Sequence, residues 1–238
     1  MTRINDFNEV LNSRKSVKVF DENYKIPREE MDEIITKATK APSSVNMQPW
    51  RIAVVESDEM KEKVKESFGF NSRQLTTSSA MLIIFGDLQN YEKAEQIYGD
   101  AVEQQLMTED IKAQLLDWIL PYYKNLSREG MKDIVNIDSS LMAMQLMLTA
   151  KAHGYDTNPI GGFDKENIAD IIGYDSDRYL PVLAIAIGKK AQDAHDSVRL
   201  PIDDVGNFYK TSQNFHIYKR TFCYNLTKSF FSIRINRL

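Results

Sequence analysis

At 238 residues the chain has room for one to two domains of ordinary size, and 42% hydrophobic with 27% charged residues excludes a disordered chain or a fibrous repeat. With 30 basic against 34 acidic residues the net charge is −4, which argues against a binder of phosphate backbones. That total conceals a gradient: residues 209–238 carry six basic residues (Lys210, Lys219, Arg220, Lys228, Arg234, Arg237) and no acid, so residues 1–208 hold 24 basic against 34 acidic residues, a net −10.

In chain order, residues 6–12 read as a short helix. Pro27 followed by Arg28, Glu29 and Glu30 opens a firmer one, with Met31, Ile34, Ile35 and Ala38 at helical spacing and an end expected near Ala41-Pro42. Residues 51–56 form a β-branched strand, and Ser57 caps a helix that runs towards Gly69. Residues 80–85 and 182–188 are apolar on both faces, the pattern of central buried strands. Helices fill roughly 90–105 and 109–123. Residues 138–154 read as a helix capped by Asp138 and stopped by Gly154. Leu141, Met142, Met144, Leu146, Met147 and Leu148 point all round it, so it is buried on nearly all sides, either in a monomer core or against a second subunit. Strands alternating irregularly with helices across long connections give α+β or α/β.

Cys223 stands alone and forms no intramolecular disulfide, while His153, His195 and His216 are too scattered for a metal site. The N-terminal residues lack the apolar stretch of a signal peptide, and no apolar run reaches the roughly 18 residues of a spanning helix, so a cytoplasmic protein without membrane contact is expected. The glycine fingerprints of dinucleotide and P-loop sites, the G-x-S-x-G elbow and H-E-x-x-H are all missing. Any chemistry then calls for a cofactor held by another pattern.

Four stretches carry that pattern. In Arg14–Phe20, Arg14, Ser16 and Lys18 alternate along an extended segment, two cations about a hydroxyl, which is an anion seat or a solvated basic turn. Residues 41–50 (APSSVNMQPW) crowd Ser43, Ser44, Asn46 and Gln48 between Pro42 and Pro49, as a ligand loop or a plain helix-to-strand connection. Residues 70–74 (FNSRQ) offer the amides of Asn71 and Gln74 to a heterocycle, unless Asn71 is only an N-cap. In Asn158–Phe163 (NPIGGF), Ile160 precedes Gly161 and Gly162, whose backbone N–H groups can approach a flat ligand or simply turn the chain; Ser197–Pro201 (SVRLP) follows.

Taken in order, R-x-S-x-K, P-S-S-x-N-x-Q-P-W, F-N-x-x-Q, P-I-G-G-F and S-x-R-L-P resemble the nitroreductase family of FMN-dependent oxidoreductases over residues 5–208. The resemblance implies a three-layer α+β fold, a mostly antiparallel central sheet flanked by helices, in an intertwined homodimer with FMN at the subunit interface. It also implies an FMN-binding domain over 1–208 and a basic, aromatic extension over 209–238. Arg14, Ser16 and Arg199 would hold the phosphate and Lys18 would lie near N1 of the flavin, where a fixed cation stabilises negative charge on the reduced ring. Asn71 and Gln74 would bond the pyrimidine edge. Ile160 would lead into Gly161 and Gly162, whose N–H groups face N5 and O4. Pro42, Ser43, Ser44, Asn46 and Gln48 would arrive from the partner subunit. The implied reaction is ping-pong, from NADH or NADPH through FMN to a nitroaromatic, quinone or flavin, with no catalytic side chain and no metal. Some relatives carry Glu at the position of Gly161 and Lys at those of Gln74 and Ser197. Fewer cations round the ring should then raise the energy of its anionic reduced form. Two rivals stand beside this reading: a flavin-sequestering protein with little turnover, and a nucleic-acid or membrane contact through the aromatic tail, which the −10 body opposes.

Overall fold

The computed structural model describes residues 3–209. The described residues divide into two units, 3–196 and 197–209. The composition break expected at residue 208 falls at the edge of the described residues, and positions 210–238 lie outside them.

The first unit is built round four strands, β1 (Trp50–Val55), β2 (Ala80–Asp87), β3 (Asp156–Ile160) and β4 (Tyr179–Gly188), all antiparallel in the order β1-β2-β4-β3. Side chains alternate along a strand. Leu82 and Ile84 therefore enter one cluster with Ile185 and Ile187, while Met81, Ile83 and Phe85 enter another with Ala184 and Ala186. Helices α2 (Arg28–Ala38) and α7 (Arg128–Ala152) cover the first face, and α3 (Asp58–Phe68) and α8 (Ile168–Ile172) the second. With both faces covered, all eight residues of β2 are buried, which is the physical reason for its unbroken apolar run. This is the expected three-layer α+β arrangement. A Cβ on Gly86 would come within 2.6 Å of Val135, so glycine is what lets α7 lie this close to β2.

Helix α1 (Phe7–Ser13) begins at Asp6, whose carboxylate accepts the Glu9 N–H at 2.9 Å, and α3 begins at Ser57 in the same way. Two short helices, α4 (Ser72–Thr77) and α5 (Ala94–Glu103), and the longer α6 (Glu109–Lys124) complete this unit. The second unit shows α9 (Ile202–Val205). Among the described residues no helix is long and apolar enough to cross a membrane.

Two expectations need correction. The long helix does not start at Asp138: it starts ten residues earlier, where the Ser127 hydroxyl accepts the Gly130 N–H at 3.1 Å, and Asp138 is a buried mid-helix residue. Its far end is as expected, with Gly154 at φ 81°. Of the two expected ways of burying that helix, the monomer core is overturned, because in the single chain Met142, Leu146 and Met147 are in the core while Ile137, Leu141 and Met144 are exposed.

Candidate functional site

Three of the four stretches meet at the β3 edge of the sheet. Ser16 forms a parallel bridge with Thr157, the Val17 N–H donates to the Thr157 carbonyl at 3.0 Å, and the Asn158 amide donates to the Val17 carbonyl at 2.9 Å. Arg14–Phe20 thus extends the sheet beyond β3, with Val17 buried and Ser16 and Lys18 exposed. β3 ends at Ile160, buried and paired with Ala184, and Gly161 and Gly162 follow. The Asn71 side-chain amide donates to the Gly162 carbonyl at 2.9 Å, and the Gln74 amide, buried, donates to Asn71 Oδ1 at 3.1 Å. Asn71 stands at the N-cap position of α4 but makes no side-chain cap bond. Its hydrogen-bonding capacity goes across to Gly162 instead.

This edge suits a flat, anionic cofactor. A Cβ on Gly161 would meet nothing within 4 Å, and one on Gly162 would find only Asn71 Nδ2 at 3.9 Å, so the glycine pair presents open backbone beside fixed amides. Sequence reading missed one residue here: Arg73, between the two amides, lines a cleft with Ser16, Lys18 and His195. Its position in the F-N-x-x-Q stretch was the available signal.

The fourth stretch lies elsewhere. Residues 42–48 lead into β1, at the opposite edge from β3 with β2 and β4 between, about 14 Å away at three ordinary strand spacings. The loop is strained: Val45, Asn46 and Gln48 have φ of 44°, 59° and 44°, values that a β-branched residue such as valine adopts only when its surroundings impose them. What imposes them is visible. Asp138, 2% exposed, accepts the Ser44 N–H at 3.0 Å and the Ser44 hydroxyl at 3.1 Å. Tyr98 donates to the Val45 carbonyl at 2.7 Å, and the Gln48 N–H donates to Ser43 Oγ at 3.0 Å. A cavity of about 500 Å³ opens beside Asn46 and Gln48, walled by Arg51, Ile97 and Leu106. Pro42 instead joins an apolar groove between α1 and α7, with Phe7, Leu141 and Met144.

Burial pushes the Asp138 carboxyl up, against the pull of its two Ser44 hydrogen bonds. Tyr123, close to the same carboxylate, is pushed up to about 12, first by burial and then by the Asp138 charge, and so stays protonated at neutral pH. A carboxyl raised in the folded state stabilises the fold fully below its unfolded pKa, and that contribution is lost as pH rises through the folded value. Asp138→Asn, which cannot ionise yet still accepts from Ser44, should therefore hold or gain stability at neutral pH and flatten this part of the pH profile. Asp138→Ala, which strands the half-buried Ser44 donors, should lose about 1 kcal/mol. Thermal melts between pH 4 and 8 check this; equal losses in both variants would contradict it.

Arg199 belongs to the second unit, where its guanidinium donates to Ser197 Oγ and to the Val198 carbonyl, both at 2.8 Å.

The Nitroreductase family model matches residues 11–189. "Putative NAD(P)H nitroreductase YdgI" of Bacillus subtilis (strain 168) is 46% identical over 208 residues, 87% of this chain and 100% of the relative. A crystal structure from Staphylococcus epidermidis ATCC 12228, described as a "putative NAD(P)H:FMN oxidoreductase", is similar at 97% identity, covering 88% of this chain and 98% of that one with a TM-score of 0.87. A "putative nitroreductase in complex with FMN" from Exiguobacterium sibiricum 255-15 is similar at 45% identity, 87% and 99% coverage, and a TM-score of 0.85.

Proposed function

The chain belongs to the nitroreductase family, and from that premise we propose that it is an NAD(P)H oxidoreductase that works as a homodimer with one FMN at each shared site. The observation that carries the reading is the convergence of Ser16–Lys18, Asn71–Gln74 and Gly161–Gly162 on one sheet edge, in a chain 45% identical to a protein solved with FMN. Bound there, FMN supplies hydride chemistry, accepting two electrons from NADH or NADPH and passing them in a second half-reaction to a nitroaromatic, quinone or flavin acceptor.

The chain's own part is binding, orientation and field. Arg14 and Ser16 hold the phosphate from the added edge segment. Lys18 faces the N1 end of the ring and offsets its charge on reduction. Asn71 and Gln74, already bonded to one another, present an ordered amide pair to the pyrimidine edge. Beyond Ile160, the Gly161 and Gly162 N–H groups serve the N5 and O4 side with no Cβ in the way.

Residues 42–48 reach a flavin only in trans. Their distance from β3 in one chain supports this, as does the position of Pro42 in the groove that holds the exposed apolar residues of α1 and α7. Ser43, Ser44, Asn46 and Gln48 then close the partner's site, held in shape by Asp138 and Tyr98.

Lys18→Ala is expected to weaken FMN retention or slow NAD(P)H-driven bleaching of the flavin by at least about tenfold, measured by flavin release on dilution and by stopped-flow absorbance. Retention and bleaching both equal to the parent would remove Lys18 from the site.

A further inference from the structure

Helix α4 serves two parts of the same edge. Asn71, at its N-cap, reaches the Gly162 carbonyl and Gln74 reaches Asn71 Oδ1, whereas Arg73, a turn of about 100° away from Gln74, lines a cleft of about 110 Å³ with Ser16, Lys18, Asp193 and His195. The cleft is braced rather than incidental. The Thr77 hydroxyl donates to the Arg73 carbonyl at 2.9 Å and accepts the Phe20 N–H at 3.2 Å, which ties the Arg73 turn to the end of the basic segment. On the other wall the Asp21 N–H donates to the Lys189 carbonyl at 2.8 Å, and the Ala191 N–H to the Val19 carbonyl at 2.9 Å.

Its charge is unbalanced. Asp193, the carboxylate in the lining, is paired with Lys190 at 2.6 Å, and nearby Asp196 with Lys15. Among the described residues neither the Arg73 guanidinium nor the Lys18 ammonium has an ion-pair or hydrogen-bond partner. An unpaired guanidinium beside the Ser16 hydroxyl calls for an anion, and the cleft has room for a phosphate group but not for a tricyclic ring, so Lys18 is left to the ring.

We propose that Arg73 is a phosphate-binding residue, sharing with Ser16 the seat of the FMN phosphate. This rests on the FMN reading above and adds to it a residue that discriminates FMN from riboflavin. A guanidinium offers two parallel N–H donors to adjacent phosphate oxygens, which an ammonium cannot reproduce.

The test loads the full-length parent, Arg73→Gln and Arg73→Lys with FMN or with riboflavin and follows flavin fluorescence on dilution, in low and in raised salt. Arg73→Gln should weaken FMN about tenfold or more and leave riboflavin within about twofold. It should also lessen the salt dependence of FMN release, and Arg73→Lys should recover only part of the loss. Because Arg73 is exposed, melting temperatures should match the parent. Equal weakening of both flavins would assign Arg73 a structural or ring-facing role and overturn the proposal, as would unchanged FMN release. A parent that binds riboflavin but not FMN, or neither, would overturn the FMN reading itself, and is distinguished by involving no variant.

Discussion

Leu141→Asp should convert the protein to a monomer and strip it of flavin. Leu141 and Met144 on α7 are 46% and 40% exposed, with Ile137 at 62% on the same side and Phe7 at 62% on α1 alongside. Large apolar side chains grouped in this way mark a surface meant to be covered. In the homodimer proposed above the covering surface is a second copy, and Pro42, at the root of the strained loop, lines the same groove. A two-fold seam would bring both introduced carboxylates into apolar surroundings, at a cost of several kcal/mol per charge. Since Leu141 is half exposed in one chain, the monomer itself should stay folded. Sedimentation and flavin content, measured together, give the outcome: a monomer without FMN. A monomer that keeps its flavin would mean that the site is complete within one chain, and a persistent dimer would place the seam elsewhere.

The second large effect is expected at Asp87, a fully buried carboxylate at the end of β2. Arg178 meets it through Nε at 2.8 Å and Nη2 at 3.0 Å, and Arg51 through Nη2 at 2.9 Å. Arg51 also donates to the carbonyls of Gln48 and Trp50, at 3.0 and 2.8 Å, so one buried anion anchors both the sheet end and the exit of the 42–48 loop. Asp87→Ala removes the counter-charge from two guanidiniums at once. Both are partly solvated, 29% and 22% exposed, which places the expected destabilisation near the lower end of the range for broken buried pairs, about 3 kcal/mol. Chemical denaturation should show it as a lower midpoint with an unchanged slope. Flavin affinity should fall as well, because Gln48 loses its support. A variant as stable as the parent would mean that the guanidiniums find water instead, and that the triad fixes geometry alone.

The contrast between β2 and β3 shows how much of the fold a sequence makes legible. β2 is apolar at nearly every position because both its faces are covered, and that pattern is visible without coordinates. β3 contains Asn158 and Pro159 and shows no strand pattern in the sequence; proline is tolerated there because β3 ends the four-stranded sheet and its backbone bridge to the added segment is at Thr157. Asp138 misled for a related reason. Asp-Ser-Ser ahead of an apolar run has the chemistry of a cap, and Asp138 does accept a backbone N–H, but from Ser44 across the fold. Local patterns reveal what a side chain can bond and not which donor the tertiary structure brings. The site behaves likewise: the motifs name Ser16, Lys18, Asn71, Gln74 and the glycine pair, while Arg73 emerges only once α4 is set beside the basic segment.

The measurement closest to the central claim is the visible absorption spectrum of the purified protein, recorded before and after addition of NADH or NADPH in the absence of oxygen. FMN held at the β3 edge predicts a yellow protein whose flavin band bleaches with reduced nicotinamide and returns when a quinone or nitroaromatic is added. A protein that stays colourless after incubation with FMN, or a yellow one that neither nucleotide bleaches, would contradict it.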